Sequence, residues 1–115
     1  MAETTTPPAA TADATAGATC APQLPQAAQD FLKALAHPGR QQIMLLFAQG
    51  AELSVNQVAE RAGISQSAAS QQLALLRRGG IVTSRRDGKE VLYRGDRDGV
   101  ARTLRDLQDY LRFCC

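Results

Sequence analysis

Residues 54–94 read SVNQVAERAGISQSAASQQLALLRRGGIVTSRRDGKEVLYR, and they carry the clearest structural signals of the chain. Ser54 and Gln57 are three residues apart, the spacing at which two side chains satisfy each other's free backbone donors at a helix start. Gly63 supplies the left-handed residue that ends this helix, and Ser65 caps the next one. Two helices joined by so short a glycine-containing turn predict a helix-turn-helix, whose second helix usually enters the DNA major groove.

The second predicted helix has a polar side without acidic residues. At the helical repeat, its glutamines, serines and arginines fall on one arc broken only by Ala74, and aliphatic residues fall on the other, with Gln72 as the exception. Amides pair with adenine, hydroxyls donate or accept, and arginine binds guanine or phosphate. An ordinary solvent-facing side would mix Glu and Lys, and this side has neither. The predicted DNA contacts on this helix are Ser65, Gln66, Ser67, Ser70, Gln71, Arg77 and Arg78.

Residues 81–94 predict a β-hairpin with Asp87-Gly88 as its two-residue loop. Pairing across this loop places Arg86 opposite Lys89, where like charges repel each other. A phosphate between the two side chains would offset the repulsion. The alternative is an exposed hairpin whose basic tip only protects a sheet edge. The predicted DNA contacts on the hairpin are Arg85, Arg86 and Lys89.

Positive charge is concentrated on the same segment. The net charge is only +2, but residues 61–94 carry seven basic and two acidic residues. Residues 1–60 carry two basic and five acidic residues, and residues 95–115 carry four of each. Because phosphate neutralisation supplies much of the affinity of DNA-binding proteins, double-stranded DNA is the predicted partner.

The length of 115 residues predicts one small domain. Residues 1–24 are mostly Ala, Thr and Pro, which predicts a disordered tail, and residues 25–115 would form the folded domain. The tail lacks the basic and apolar regions of a signal peptide, and no apolar run is long enough to cross a bilayer. We therefore expect no membrane association, and a cytoplasmic protein with reduced thiols.

Apolar patterns outside the central stretch predict three more helices. One runs from about residue 25 to His37, and Pro38 can begin the next. Residues 43–47 are apolar all round, which predicts a buried central helix. The last helix, from near Gly99, carries a heptad-like apolar stripe that predicts packing against a second copy, although the stripe could instead cover the protomer's own core. The predicted dimer contacts are Phe31, Leu35, Val100, Leu104, Leu107 and Leu111.

Several of these strings resemble the ArsR/SmtB family of bacterial repressors. Residues 35–40 are similar to the family's turn between its first two helices, residues 52–55 to the start of its third helix, residues 65–77 to its recognition helix and residues 85–93 to its wing. The resemblance implies a mainly α fold with a small β-hairpin, that is, four helices, a hairpin and a last helix. It also implies a winged helix-turn-helix homodimer, joined through its first and last helices, that leaves an inverted-repeat operator when an inducer binds.

The metal motifs of that family are incomplete in this chain. The thiolate motif of the third helix, Glu-Leu-Cys-Val-Cys, is replaced by Glu-Leu-Ser-Val-Asn at residues 52–56, so both soft ligands are missing. The family's zinc, nickel and cobalt sites use Asp, His and Glu, but His37 is the only histidine and its position predicts a cap or turn role. We expect no metal or other cofactor, with arsenite as the one alternative.

The remaining sensing candidates are Cys20, Cys114 and Cys115. The ending at residues 110–114 resembles the HlyU/BigR-like branch, whose members sense persulfides or oxidants by pairing this cysteine with one in the second helix; here that second position is Leu45. Adjacent Cα atoms lie about 3.8 Å apart, below the roughly 4.4 Å needed for an unstrained disulfide. The open partners of Cys114 are thus Cys20, Cys115 and a thiol on a second chain, and Cys20 is the better one if the first and last helices pack together. In the alternatives, all three thiolates bind As(III), or Cys114 is only an apolar seam residue.

An enzyme is not expected. The adjacent cysteines lack Cys-x-x-Cys spacing, and His37 is the only imidazole. A protein-interaction module on the winged fold would give no reason for an acid-free helix side. The sequence thus predicts a DNA-binding repressor released by a thiol-directed inducer, either redox or reactive sulfur.

Overall fold

A computed structural model of the protein describes residues 23–115. The described part contains helices α1 (Gln26–Leu35), α2 (Pro38–Leu45), α3 (Val55–Ala62), α4 (Gln66–Arg78) and α5 (Arg97–Cys114), a 3-10 turn at Ala48–Gly50, and strands β1 (Leu53–Ser54), β2 (Val82–Asp87) and β3 (Glu90–Gly95). The predicted mainly α fold with a small hairpin is confirmed. The predicted tail at 1–24 lies outside the described residues except for its last two.

Side chains at the helix ends form the predicted helix-turn-helix. The Ser54 hydroxyl accepts from the Gln57 backbone N–H at 3.2 Å, and the Gln57 side chain accepts from the Ser54 N–H at 2.9 Å. Gly63 ends α3 with φ 71, and the Ser65 hydroxyl accepts from the Ala68 N–H at 3.0 Å. All of these contacts span three residues or fewer, which is why the pattern predicts them.

Side chains from the first turn of α2 close the C-terminal end of α1. Arg40 Nε donates to the carbonyl of Ala34 at 2.8 Å, and its Nη2 donates to that of Lys33 at 2.9 Å. Gln41 Nε2 donates to the carbonyl of Leu35 at 2.8 Å. The last carbonyls of a helix have no partner within it, so these donors satisfy groups that would otherwise need water. The guanidinium also lies at the negative end of the helix dipole.

The sheet has three strands in the order β1-β3-β2, so β1 adds a strand to the predicted hairpin. Leu53 of β1 lies opposite Tyr93 of β3. In the hairpin itself, Asp87 lies opposite Glu90, and the two loop residues are Gly88 and Lys89. The segment that leads into the helix-turn-helix is therefore hydrogen-bonded to the wing.

This pairing corrects the predicted hairpin register. Arg86 lies opposite Val91 and not opposite Lys89, so the inference of a phosphate held between two facing cations was wrong. The predicted and observed partners differ by two residues, so both registers place the same side chains on the same faces, and the apolar pattern cannot separate them. The turn decides, because Gly88 has φ 66 at the first loop position, where a type II′ turn requires glycine.

The core lies between α1, the helix-turn-helix and the sheet, and α4 crosses α1 at close range. Leu73 and Leu76 of α4 have no exposed surface. Where α4 ends, a Cβ built on Gly79 would lie 2.9 Å from both the Asp30 carbonyl oxygen and the Ala34 Cβ. Because real Cβ atoms do not approach so closely, glycine at this position is what allows α1 and α4 to touch.

The predicted buried helix at residues 43–47 is wrong. Helix α2 ends at Leu45, whose side chain is 68% exposed, and Phe47 reaches the core from the turn that follows. The apolar run continues past the end of the helix, so its members do not share a helical arrangement. Helix α2 therefore lies at the surface and buries only Ile43.

Helix α5 packs against α1, and much of the rest of its surface is exposed to solvent. Val100 and Leu107 contact the protomer's own core, whereas Leu104, Leu111 and Phe113 are 51%, 56% and 60% exposed. The apolar stripe is thus divided, with one edge covered by this protomer and the other left open. No helix among residues 23–115 is both long enough and apolar enough to cross a membrane.

On α1, two of the predicted dimer contacts are used inside the protomer. Phe31 is 3% exposed in the core, so it cannot face a second copy as predicted, and Leu35 is partly buried against the same core. Leu32 is the more exposed apolar side chain of α1, at 39%. A helical stripe shows that one face is buried but not which partner buries it, and here the partner is the protomer itself.

Candidate nucleic-acid interface

Helix α4 buries one side and exposes the other. Ala69, Leu73 and Leu76 have no exposed surface. The hydroxyl, amide and guanidinium side chains on the opposite side are all exposed: Ser65, Gln66, Ser67, Ser70, Gln71, Arg77 and Arg78. No acidic residue lies between Ser65 and Arg85. This surface therefore presents hydrogen-bonding groups with a positive end and no negative charge of its own.

In the wing, Arg85 is paired within the protein. Its Nε and Nη2 donate to the two carboxylate oxygens of Glu52 at 2.8 and 2.9 Å. This hydrogen bond lowers the pKa of Glu52 and raises that of Arg85. The pair ties β2 to the chain just before β1, and Arg85 would have to give up Glu52 to bind a phosphate. The sequence predicts Arg85 as a DNA contact that lies opposite Glu90, whereas it lies opposite Leu92 and its partner is Glu52, 33 residues away.

The exposed cations of the wing tip are accompanied by acids. Arg86 and Lys89 are exposed, as predicted contacts must be, but Asp87 and Glu90 face each other beside them. The tip therefore carries as many negative as positive charges. The C-terminal end of α4, by contrast, carries two adjacent exposed arginines and no acidic residue.

Gln72, the exception on the apolar side of α4, has a partner that the pattern did not reveal. Arg40 Nη1 donates to Gln72 Oε1 at 3.1 Å. Since a guanidinium only donates, the amide oxygen must face it. Gln72 thereby links α4 to the first turn of α2, and no local signal predicts a contact between residues 32 apart.

The thiol groups of the last two residues are in contact with each other. Cys114 Sγ and Cys115 Sγ are hydrogen-bonded at 2.7 Å, and both residues are exposed. This hydrogen bond, with some desolvation, raises the pKa of the Cys114 thiol. Cys115 lies beyond the end of α5, but the spacing of adjacent Cα atoms, which disfavours a direct disulfide, is the same there. Cys20, the predicted partner, lies outside the described residues.

Within residues 23–115, no group of three His, Cys, Asp or Glu side chains is arranged to hold a metal ion. His37 caps α2, because its Nδ1 accepts from the Gly39 backbone N–H at 3.1 Å. This is the structural role that its position predicted.

Known proteins are similar to this chain in both sequence and fold. A family model described as a helix-turn-helix domain matches residues 35–85. The biofilm growth-associated repressor of Agrobacterium fabrum is 43% identical over 84 residues, which cover 73% of this chain and 69% of that protein.

Two solved structures extend this similarity to three dimensions. A homodimeric winged helix-turn-helix domain from Mycobacterium bovis, described as a possible ArsR-family transcriptional regulator, is 34% identical with a TM-score of 0.61, over 76% of this chain and 80% of that one. HlyU from Vibrio cholerae is 36% identical with a TM-score of 0.57, over 75% of this chain and 94% of that one. The chain therefore belongs to the ArsR-type winged helix-turn-helix family of transcriptional regulators, in the branch that contains the biofilm growth-associated repressor and HlyU.

Proposed function

We propose that this regulator is a cytoplasmic, homodimeric repressor that binds an inverted-repeat operator and leaves it when an inducer modifies its thiols. The observation that carries the proposal is the exposed, polar, acid-free side of α4, opposite the side that buries Ala69, Leu73 and Leu76. Amides and hydroxyls on that side suit base edges, which specify sequence. Arginines at its end and cations in the wing suit phosphates, which set affinity and register.

The open edge of the α5 stripe supports a dimer. Leu104, Leu111 and Phe113 are more than half exposed in a single chain and follow one another along one helix. The occupant we propose is the same edge of a second copy, since a two-fold interface pairs identical surfaces. The similar domain from Mycobacterium bovis is homodimeric. Two recognition helices related by a two-fold axis fit two half-sites of an inverted repeat.

The facing thiols support a thiol-directed inducer, and an organic trisulfide is the reactive-sulfur species with the simplest chemistry. The Cys114 thiolate attacks the central sulfur of the trisulfide and expels one thiolate. The Cys115 thiolate then attacks the same sulfur and expels the second thiolate. One sulfur atom ends up bridging the two Sγ atoms, and the two thiol protons leave with two molecules of organic thiol. The contact between the two Sγ atoms supports a single sulfur atom bridging them.

Arsenite is the second candidate inducer, and the same pair of adjacent thiols favours it. Trivalent arsenic binds soft thiolates, and Cys20 would supply the third one in addition to Cys114 and Cys115. Three thiols would displace the three hydroxyls of arsenous acid as water, without any redox step. The two candidates therefore differ in whether Cys20 is required and in the mass that the protein gains.

Replacing Gln71 by Ala should reduce discrimination between bases. The expected loss is roughly 1–3 kcal/mol for a lost bidentate contact to a base. The measurement compares binding to a duplex that the wild-type protein enriches from a randomised pool, called here the selected operator, with binding to random duplex. Gln29→Ala, on the exposed surface of α1, is the matched control. Equal weakening on both duplexes would contradict base contact by Gln71.

Replacing Arg86 and Lys89 together by Ala should weaken binding to every duplex. The slope of log K against log salt should flatten by up to about two units, one for each lost phosphate contact. Arg85→Ala is the internal control, because Arg85 is paired with Glu52 and should leave the slope unchanged. If instead only Arg85→Ala changes the slope, then Arg85 contacts a phosphate and Arg86 and Lys89 do not.

Replacing Leu104 and Leu111 together by Asp should convert the dimer into a monomer. A charge buried without a partner strongly disfavours an apolar interface, whereas both side chains are already exposed in the protomer. Sedimentation velocity gives the oligomeric state. Leu45→Asp changes a leucine on α2 that is more exposed than either of them and should leave the dimer intact. A dimer that survives the α5 change but not the α2 change would place the interface elsewhere.

Exposure to an organic trisulfide should add one sulfur atom to each chain and remove two hydrogens. Intact mass spectrometry would detect this gain, and Cys114→Ser and Cys115→Ser should each abolish the bridge, whereas Cys20→Ser should keep it. A parallel sample with arsenite tests the alternative, which requires all three cysteines. Operator release measured on the same samples shows whether either adduct acts as an inducer. Adducts of both kinds without release would rule out thiol control.

A further inference from the structure

We propose that Arg40 is a positioning residue for DNA recognition, which holds α4 at a fixed tilt on α1 through its bond to Gln72. The inference rests on the proposed role of α4 as the recognition helix. Arg40 itself lies in the first turn of α2 and is not among the side chains of the exposed polar surface of α4. Its effect on DNA would therefore be transmitted through the protein and not by contact.

The guanidinium of Arg40 joins two helices at once. Nε and Nη2 donate to the Ala34 and Lys33 carbonyls of α1, at 2.8 and 2.9 Å, while Nη1 donates to Gln72 of α4 at 3.1 Å. A guanidinium is planar, and its donors have a rigid mutual geometry. When Nε and Nη2 are bonded to α1, the direction of Nη1 is therefore fixed as well. The amide oxygen of Gln72 must then lie along that direction to accept its hydrogen bond.

The position of Arg40 on its own helix is unfavourable without these contacts. It lies in the first turn of α2, where the helix dipole disfavours a positive charge, and that turn contains no acidic residue. The two carbonyls of α1 lie at the negative end of the other dipole and offset this cost. Arg40 is therefore held by α1 more than by α2, so that its bond to Gln72 is in effect a bond between α1 and α4.

A second contact between α1 and α4 makes the tilt depend on Arg40. At its C-terminal end, α4 runs against α1 through Gly79, where backbone and Cβ atoms leave no room for a side chain. Gly79 sets the distance between the two helices at one end of α4, and a bond further along α4 adds a restraint on the angle between them. The bond at Gln72, seven residues earlier along α4, is this restraint. Losing it should let the N-terminal half of α4 move, and this half carries Ser67, Ser70 and Gln71.

The test measures the ratio of affinities for the selected operator and for random duplex. Arg40→Met removes all three bonds, and Gln72→Leu removes only the bond to α4. Each change should lower the ratio by roughly tenfold, within the range typical of coupling between sites in one protein. The double variant should lose no more than either single one, because both changes break the same bond. Gln72→Glu keeps an acceptor for Arg40 and should keep the ratio.

Gln41→Met is the matched control, because it removes a bond to the Leu35 carbonyl at the same end of α1 without any contact to α4. Its melting temperature should fall as that of Arg40→Met does, but its affinity ratio should not change. If a general loss of stability were the cause, the affinity ratio would fall in Gln41→Met as well as in Arg40→Met. A selection of operators with varied half-site spacing adds a second readout, since a loosened α4 should tolerate more spacings than the wild type.

The outcomes separate this inference from the proposed function. If the wild-type protein binds the selected and random duplexes equally, the recognition role of α4 fails. If the wild type discriminates and both Arg40→Met and Gln72→Leu discriminate equally well, the positioning role is overturned while the recognition role stands. If Arg40→Met does not fold, Gln72→Leu decides alone, because it leaves the capping of α1 intact. A ratio lost in Gln41→Met as well would also overturn the inference.

Discussion

The one-sided burial of α4 is the constraint on which the rest of the structure depends. Leu73 and Leu76 have no exposed surface, and burying a leucine side chain stabilises a fold by about 1.5–3 kcal/mol. Helix α4 cannot roll about its axis without exposing them. The same packing therefore holds the opposite side, with Gln66 and Gln71, at the surface in a defined orientation. Because this side contributes nothing to the core, its composition reflects what it binds, and it lacks acidic residues.

Helix α1 is the support that the functional parts share. It contacts α4 through Gly79 and through Arg40, and it also packs against α5, whose end carries the thiols. The part of α5 that packs on the core contains Val100 and Leu107, so α1 lies between this part of α5 and α4. The capping of α1 by Arg40 and Gln41 is then more than a local stabilisation, since it keeps this shared support helical to its last turn. Under the proposed function, α1 would connect the helix that carries the thiols with the helix that reads DNA.

The features that could be predicted from the sequence are those that depend on interactions between residues close together in the chain. The caps at Ser54 and Ser65 depend on neighbours within three residues, and they lie where the pattern placed them. The hairpin register failed because a shift of two residues preserves the faces, and only the conformation of Gly88 separates the two pairings. The contact between Arg40 and Gln72 could not be predicted, since it requires the packing of α2 against α4. Apolar stripes were found correctly, but they do not tell whether the same protomer or a second copy covers them.

The adjacency of Cys114 and Cys115 has a kinetic consequence. A bridge between neighbouring residues closes within one molecule, at an effective concentration that the chain sets itself, so its rate does not vary with the amount of regulator in the cell. Sulfurs donated by two subunits would react only in the assembled pair. Under the proposed thiol chemistry, each subunit would be modified independently, and a population would pass through singly modified pairs as the dose of inducer rises. Such a population would give a graded output and not an all-or-none one.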